Sequence, residues 1–270
     1  MDSEQAPPGI DVTKPHPARR YDYWLGGKDN FEADRESAEA VAEAFPSVQF
    51  SALENRAFLR RAVTYLTAEA GIRQFLDLGA GLPTAGNVHE IAQDIAPESR
   101  IVYVDNDPIV LIHARTLLDR RPEGRTAYLQ ADVREPDRLL SHPDLLDTLD
   151  LSRPVALMLV AVMHFLTDDD RPYEVVRRLR EALPSGSYLV MTHATSDHLT
   201  AEDLAQSDEA NRRSGIPFRL RSTAEFSRFF TGLEVVPPGI GSVMSWRPEG
   251  WRAHPRPEAV SMLGAVARIP

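Results

Sequence analysis

Cysteine is absent from the 270 residues, which excludes disulfides, zinc–thiolate centres and a cysteine nucleophile, and leaves no sign of an oxidising compartment. Long apolar runs are missing too: no stretch reaches the ~18 residues that a membrane span needs. The opening MDSEQAPPGIDVTKPHPARR has no apolar core of the kind a secretory signal carries. No membrane partner and a cytoplasmic location are therefore expected. Basic excess is also lacking. The 30 Lys and Arg against 40 Asp and Glu give a net charge of -10, whereas attraction to a phosphate backbone needs a basic face or stripe, so no nucleic-acid partner is expected. Arg212, Arg213, Arg219 and Arg221 form the densest basic stretch and read as a solvated face, with an anionic substrate as the other reading.

What is present suffices for a core. With 43% hydrophobic and 26% charged residues, the chain fits one large domain with additions. Residues 1–17 hold Pro7, Pro8, Pro15 and Pro17 and few apolar side chains, and read as a tail that orders only by docking. Residues 18–72 read as an N-terminal helical region. It starts with RYDYWLGGKDNF, where Tyr21, Tyr23, Trp24 and Phe31 crowd around Gly26 and Gly27. A helix follows from Glu32 to Phe45 and stops at Pro46. A second begins near Ser51, whose spacing to Glu54 fits a capping box, and ends at Gly71.

From residue 73 to 270 strands and helices alternate. Gln74 to Leu78 reads as a buried strand entering a glycine turn. Val88, Ile91, Ala92 and Ile95 mark an amphipathic helix closed by Pro97. Arg100 to Val104 is a second strand ending at Asp105, and Asp107 before Pro108 caps a helix with Val110, Leu111, Ala114, Leu117 and Leu118 inward. Thr126 to Gln130, the apolar run Val155 to Val162, Tyr188 to Thr192, Leu233 to Val236 and Val260 to Ala267 supply further strands. Helices run through Val175, Val176 and Leu179 and over Thr200 to Arg213. This alternation predicts a doubly wound α/β sheet with its ligand beyond the strands' carboxyl ends, at the topological switch point.

Gly79 and Gly81 lie between the first strand and its helix, where glycine permits a tight turn and a close ligand approach. An ordinary strand-to-helix turn is the competing reading, and three acids decide between them. Asp105 follows Gly81 by 24 residues, the offset at which an acid meets ribose hydroxyls, and Asp107 already suits the neighbouring cap. Asp132, within Ala131-Asp132-Val133, stands where an adenine amino group would lie, with capping near Pro136 or pairing with Arg134 as the equal alternative. Asp77 adjoins the turn, Pro83 replaces the third fingerprint glycine, and no phosphate grip is present. An acid there repels a pyrophosphate but pairs with an ammonium, while amides near Thr84 to Gly86 suit a carboxylate. A zwitterionic nucleoside such as S-adenosylmethionine fits better than NAD.

Other constellations read as structural. Ser196, Asp197 and His198 are consecutive, unlike a triad assembled by a fold, and read as a polar loop. His193 and His198 show no ligand pattern, so no metal is expected. Asp168, Asp169 and Asp170 read as capping the helix begun at Pro172. The stretch Tyr21 to Phe31 reads either as a lid over the cofactor, with Tyr23 and Asn30 as its test residues, or as plain packing on the sheet edge.

QFLDLGAGLP, IVYVDNDP, LQADV and LVAVMHFL resemble the successive motifs of class I S-adenosylmethionine-dependent methyltransferases. RYDYWLGGKDNFEADRE, GLPTAGNVHE and MTHATSD resemble, more narrowly, an actinobacterial S-adenosyl methyltransferase family first catalogued as being of unknown function. The chain departs from the broad pattern at Pro83 and Pro154. The resemblance implies a Rossmann-like sheet of seven strands, mostly parallel with an antiparallel last strand. It also implies that Asp77, Gly79, Ala80, Gly81 and Leu82 hold the methionine end, Asp105 and Asn106 the ribose, and Ala131, Asp132 and Val133 the adenine. Val160 and His164 would line the floor, His164 as a structural histidine or a general base. Methyl transfer to a small-molecule acceptor is the expected activity, and a cofactor-binding sensor without turnover is the alternative.

Overall fold

In the computed structural model, which describes residues 11–83, 86–110, 123–248 and 260–270, the apolar segments assemble into one sheet. Its strands are β1 (Gln74–Leu78), β2 (Arg100–Asp105), β3 (Arg125–Gln130), β4 (Ala156–Leu159), β5 (Tyr188–Ala194), β6 (Glu234–Val235), β7 (Gly241–Ser242) and β8 (Met262–Arg268). They lie in the order β3-β2-β1-β4-β5-β8-β6, with β7 also on β8. The first five are mutually parallel, and β8 runs antiparallel to β5. The doubly wound, mostly parallel sheet is as the sequence predicts. The eighth strand was not foreseen because two-residue β7 is too short to show any period.

Every residue of β1, β4 and β5 is buried, as parallel strands covered on both faces require. Alternation then sorts the side chains into two cores. Leu76 and Leu78 face Val175, Val176, Leu179 and Phe226, whereas Phe75 faces Phe58, Leu59, Val63, Val88 and Ala92. The two-residue period therefore sends Asp77 to the same layer as Phe75, beneath the helix that carries Phe58.

The helices whose bounds both fall among the described residues are α1 (Pro17–Trp24), α2 (Glu32–Ala44), α3 (Val48–Ala68), α4 (Val88–Ile95), α5 (Pro136–Leu140), α6 (Pro143–Thr148), α7 (Pro172–Glu181), α8 (Ala201–Ser214) and α9 (Thr223–Ser227). None of the described helices is long and apolar enough to cross a membrane. The periodic positions Leu111, Ala114, Leu117 and Leu118 lie outside the described residues.

Three expectations are corrected. β4 stops at Leu159 instead of Val162, because Ala161 turns to a left-handed φ of 56° and its amide donates to Thr192 Oγ1 at 2.8 Å. The apolar run marked burial, which continues through the 3-10 turn Met163–Phe165. α3 begins at Val48, ahead of Ser51, since the Ser51 amide already donates to the Ser47 carbonyl at 2.8 Å. The acids Asp168–Asp170 form a 3-10 turn of their own, and the residue capping α7 is Arg171 at φ 50°.

α1 lies where the sequence showed only a tail and an aromatic cluster. Pro17 is its N1 residue, and His16 Nδ1 accepts the Ala18 amide at 3.3 Å. A buried charge cluster fastens this helix to the end of β2. Arg19 Nε donates to Asp107 Oδ2 at 2.8 Å, and its Nη1 stands 3.9 Å from Asp34. His16 Nδ1 stands 3.2 Å from Asp107, and the His16 amide donates to Asp34 at 2.8 Å. Both acids are fully buried, so removing the guanidinium leaves uncompensated charge. Arg19→Met is expected to lose about 3 to 5 kcal/mol of unfolding free energy, or to undock α1 at a similar cost. Urea unfolding, with hydrogen exchange over residues 16–25, measures both; a loss within about 0.5 kcal/mol would remove the fastening role.

Candidate functional site

A cavity of about 440 Å³ opens at the carboxyl ends of β1 to β5, beneath α1 and α8. The sheet order reverses between β1 and β4, so this is the switch point. Asp77, Gly79, Ala80, Gly81, Leu82, Asp105, Asn106, Ala131, Asp132, Val133, Val160 and His164 all line it, from four successive strand ends.

Gly79 and Gly81 have φ of 72° and 68°, in the left-handed region that favours glycine. A Cβ on Gly79 would also come within 2.5 Å of Val162 Cγ2. The amides of Gly79 and Ala80 both donate to the Val104 carbonyl, at 2.8 and 3.1 Å, which curls the turn over the end of β2. Asp105 then fixes its far side. One carboxylate oxygen accepts the Gly81 amide at 2.8 Å and the other the Asp107 amide at 2.9 Å. Asp107 in turn accepts the Ile109 amide at 3.1 Å, the capping role read from the sequence. Burial pushes the Asp105 carboxyl above its usual range against the pull of those two amides.

Asp77 is also pushed upward. Burial raises it to about 7, the Asp105 charge adds to the rise, and the Arg56 guanidinium opposes it. Arg56 projects from α3 into the cavity wall, where its Nη2 also donates to the Gly86 carbonyl at 3.1 Å. Acid and guanidinium together present both signs of charge, as a zwitterion requires.

Asp132 lies at the site but is engaged by Arg134, which donates from Nε and Nη2 at 2.9 and 2.8 Å. Burial raises that carboxyl, but the Arg134 bonds prevail and hold it below the usual range. The pairing weighed in the sequence is thus present while the residue also lines the cavity. His164 is buried, and its Nδ1 accepts the Ala194 amide at a long 3.4 Å. Burial, with the charges of His193, Arg20 and Arg221, drives its pKa well below the usual histidine value, so the ring is neutral. With Nδ1 accepting, Nε2 carries the proton and is a donor.

Two nominated residues do not reach the cavity. Tyr23 is turned outward, its hydroxyl donating to Glu39 at 2.8 Å, because α1 points that face away from the sheet. Asn30 is buried in the loop after α1, donating to Asp22 at 2.8 Å and to the Gly27 carbonyl at 3.1 Å. Of the amides named for a carboxylate, those of Thr84 and Ala85 lie outside the described residues. The Gly86 amide is taken by Glu90 at 2.6 Å.

The basic stretch divides. Arg212 and Arg213 pair with Glu209 on the surface, but Arg221 is fully buried. It donates to the Met163 and Leu166 carbonyls, Asp168 and His193 Nε2, and so holds the turn after β4 in place. Asp197 accepts from the Thr223 amide at 2.9 Å and ties its loop to the start of α9. Sequence reasoning missed Arg20, Asn55 and Arg56, which also line the cavity, as does Tyr21 of the stretch weighed as a lid. Asn55 carried a signal: a polar residue on the buried stripe of α3 that holds Ala52, Leu59 and Ala62. It donates to the Tyr21 hydroxyl at 2.8 Å, and that hydroxyl donates to the Ala52 carbonyl at 3.0 Å.

A family model described as S-adenosyl methyltransferase matches residues 3–270. A crystal structure of a DUF574 family protein from Streptomyces avermitilis is 49% identical, with a TM-score of 0.92, covering 96% of this chain and 99% of that one. A candidate methyltransferase from Thermobifida fusca is 43% identical, with a TM-score of 0.90, covering 98% of this chain and 99% of that one. No curated protein matches.

The Asp77 shift has a measurable sign. Its folded value, about 7, lies above the unfolded 3.8. The stability it contributes is therefore complete below the unfolded value and is lost as pH rises through about 7. Between about pH 4 and pH 7 the ligand-free protein should lose stability relative to Asp77→Asn, by an amount on the order of 4 kcal/mol at most. Urea melts of both proteins at several pH values measure the gap; a flat gap would mean that Asp77 is not desolvated.

Proposed function

The chain belongs to the S-adenosyl methyltransferase family, and from that premise we propose that it moves a methyl group from S-adenosylmethionine to a nucleophilic atom of a small molecule held in the same cavity. The observation that carries the reading is the meeting of Asp77, Arg56 and Asp105 around the Gly79–Gly81 turn, at the mouth of a cavity that extends further under the N-terminal helices. Its volume, about 440 Å³, falls in the usual range of small-molecule sites.

The donor supplies an electrophilic methyl carbon on a sulfonium, and the protein's task is to hold and align. Ionised Asp77 would pair with the ammonium of the amino-acid end, and Arg56 would face its carboxylate. Asp105, already bonded to Gly81, keeps lone pairs for ribose hydroxyls, with Asn106 beside it. Asp132 would accept from the adenine edge while Ala131 and Val133 pack its ring, and Gly79 to Leu82 would run along the amino-acid end. Val160 and His164 would floor the methyl group. Neutral His164, with its proton on Nε2, orients a lone pair of the acceptor instead of taking its proton. Alignment in a cavity screened from water can supply ~7 to 11 kcal/mol of the barrier, so no dedicated base is required.

Calorimetry separates the two ends of the site. Asp105→Ala should weaken S-adenosylmethionine binding roughly 10- to 150-fold, the loss of a charge-assisted contact of ~1.5 to 3 kcal/mol. Asp77→Asn should weaken it by at least about tenfold but leave 5′-methylthioadenosine, which lacks the amino-acid end, unaffected. Unchanged affinity in both variants would sink the assignment. Steady release of S-adenosylhomocysteine with an acceptor supports transfer; tight binding with no turnover across a broad acceptor panel supports the sensor instead.

A further inference from the structure

Arg19 and Arg20 are neighbours on α1, about 100° apart around the helix, and meet different surroundings. Arg19 is matched by Asp107 and Asp34. Arg20 is equally buried, 2% exposed, yet no carboxylate of the described residues lies within 4.0 Å of its guanidinium. Its one hydrogen bond is long, 3.4 Å from Nη1 to the Ser37 hydroxyl, and its Nε has no partner. The Trp24 ring stands 5.7 Å from Cζ. Burial lowers its pKa to about 10, so the group still carries its charge at neutral pH. Buried charges are ordinarily paired, and an orphan of this kind marks a place where structure has yielded to function.

Arg20 lines the cavity, and its charge is felt at His164, which lines it too. The other arginines lining it are committed: Arg134 to Asp132, and Arg56 beside Asp77. Trp24 stands over Arg20, and the cavity is also lined by Leu25, Val41, Phe45, Phe165 and Phe218, with Asp22 and Asn55 among its polar residues. With no close ion pair among the described residues, and with the Asp34 charge reaching it only at longer range, the Arg20 guanidinium is fitted to one anion on a largely apolar body. A phosphate monoester, with nearly two charges, would bring a second that no uncommitted arginine among the described lining residues could meet.

Resting on the methyltransferase reading above, we infer that Arg20 recognises the methyl acceptor, and that this acceptor is a monocarboxylate with an apolar or aromatic body whose carboxylate is seated against the Arg20 guanidinium under α1. The surface arginines do not serve this purpose, since Arg212 and Arg213 already pair with Glu209.

The test uses the full chain saturated with S-adenosylhomocysteine and titrates benzoate, phenylacetate and 3-phenylpropionate, their primary amides, and phenyl phosphate. At least one carboxylate should bind about tenfold or more tightly than its amide. Arg20→Gln should abolish that preference and Arg20→Lys retain part of it, while S-adenosylmethionine binds both variants as it binds the wild type. The inference is overturned if no carboxylate is preferred, if the preference survives in Arg20→Gln, or if phenyl phosphate outbinds every carboxylate. A readout without ligand stands beside it. Arg20→Met removes an orphaned cation and should leave the melting temperature unchanged or higher; a fall of more than about 4 °C would make Arg20 a structural residue and overturn the inference. If the wild type fails to bind S-adenosylmethionine, the cofactor reading falls as well; if it binds the cofactor without any carboxylate preference, only the Arg20 inference falls.

Discussion

Two carboxylates at the end of β2 hold the site together. Asp105 grips the Gly81 amide and so fixes the far side of the turn that begins at β1. Asp107, two residues on, takes Arg19 and with it the whole of α1. Asp105 also accepts the Asp107 amide, so the turn and the roof are referred to one short piece of backbone. A disturbance at either acid reaches the other. Ala18 Cβ lies 4.0 Å from where a Cβ on Gly81 would stand, so the roof touches the turn directly.

The cavity is in tension with the fold that makes it. Strand alternation delivers Asp77 to a layer shared with Phe75 and Phe58, where an ionised carboxylate is poorly solvated, and Arg56 relieves only part of that penalty. A stability-driven sequence would place an apolar residue there. Arg20 shows the same conflict with the opposite sign in the same cavity. Both groups become comfortable only in the presence of a partner of opposite charge, which is how a binding site differs from a core.

How much of this was readable in the sequence follows from how far apart the cooperating residues lie. Period and punctuation placed β1 to β3, β5, α2, α4 and α8 to within a few residues, because each is encoded by its own window of sequence. The acids Asp77, Asp105 and Asp132 were legible for the same reason, each standing at a strand's end. β4 was overextended because apolar character does not report backbone direction: Ala161 and Val162 are apolar but only partly buried, and the chain turns there. α1 was invisible because its stability is tertiary: Pro17 and His16 start it, but Asp107, 88 residues from Arg19, keeps it. No window contains that pair. Arg221 was misread likewise, since the carbonyls it serves lie 55 and 58 residues away.

That asymmetry bears on where specificity resides. The residues legible in isolation are those proposed to hold the cofactor common to the family, and they sit on strand ends that any such sheet provides. Arg20, Tyr21, Asn55 and the apolar residues that line the cavity with them come from α1 to α3 and from segments meeting across the cavity, and their chemistry exists only once the roof has docked. Adjacent Arg19 and Arg20 divide the work: one side chain holds the roof down, and its neighbour brings a guanidinium without a close ion pair to the cavity beneath. Coupling the two on a single helix turn means that the acceptor chamber forms only when the Asp105–Asp107 segment is intact, and that segment is also what shapes the cofactor turn. On the proposed roles of these residues, acceptor recognition is conditional on a correctly built cofactor site.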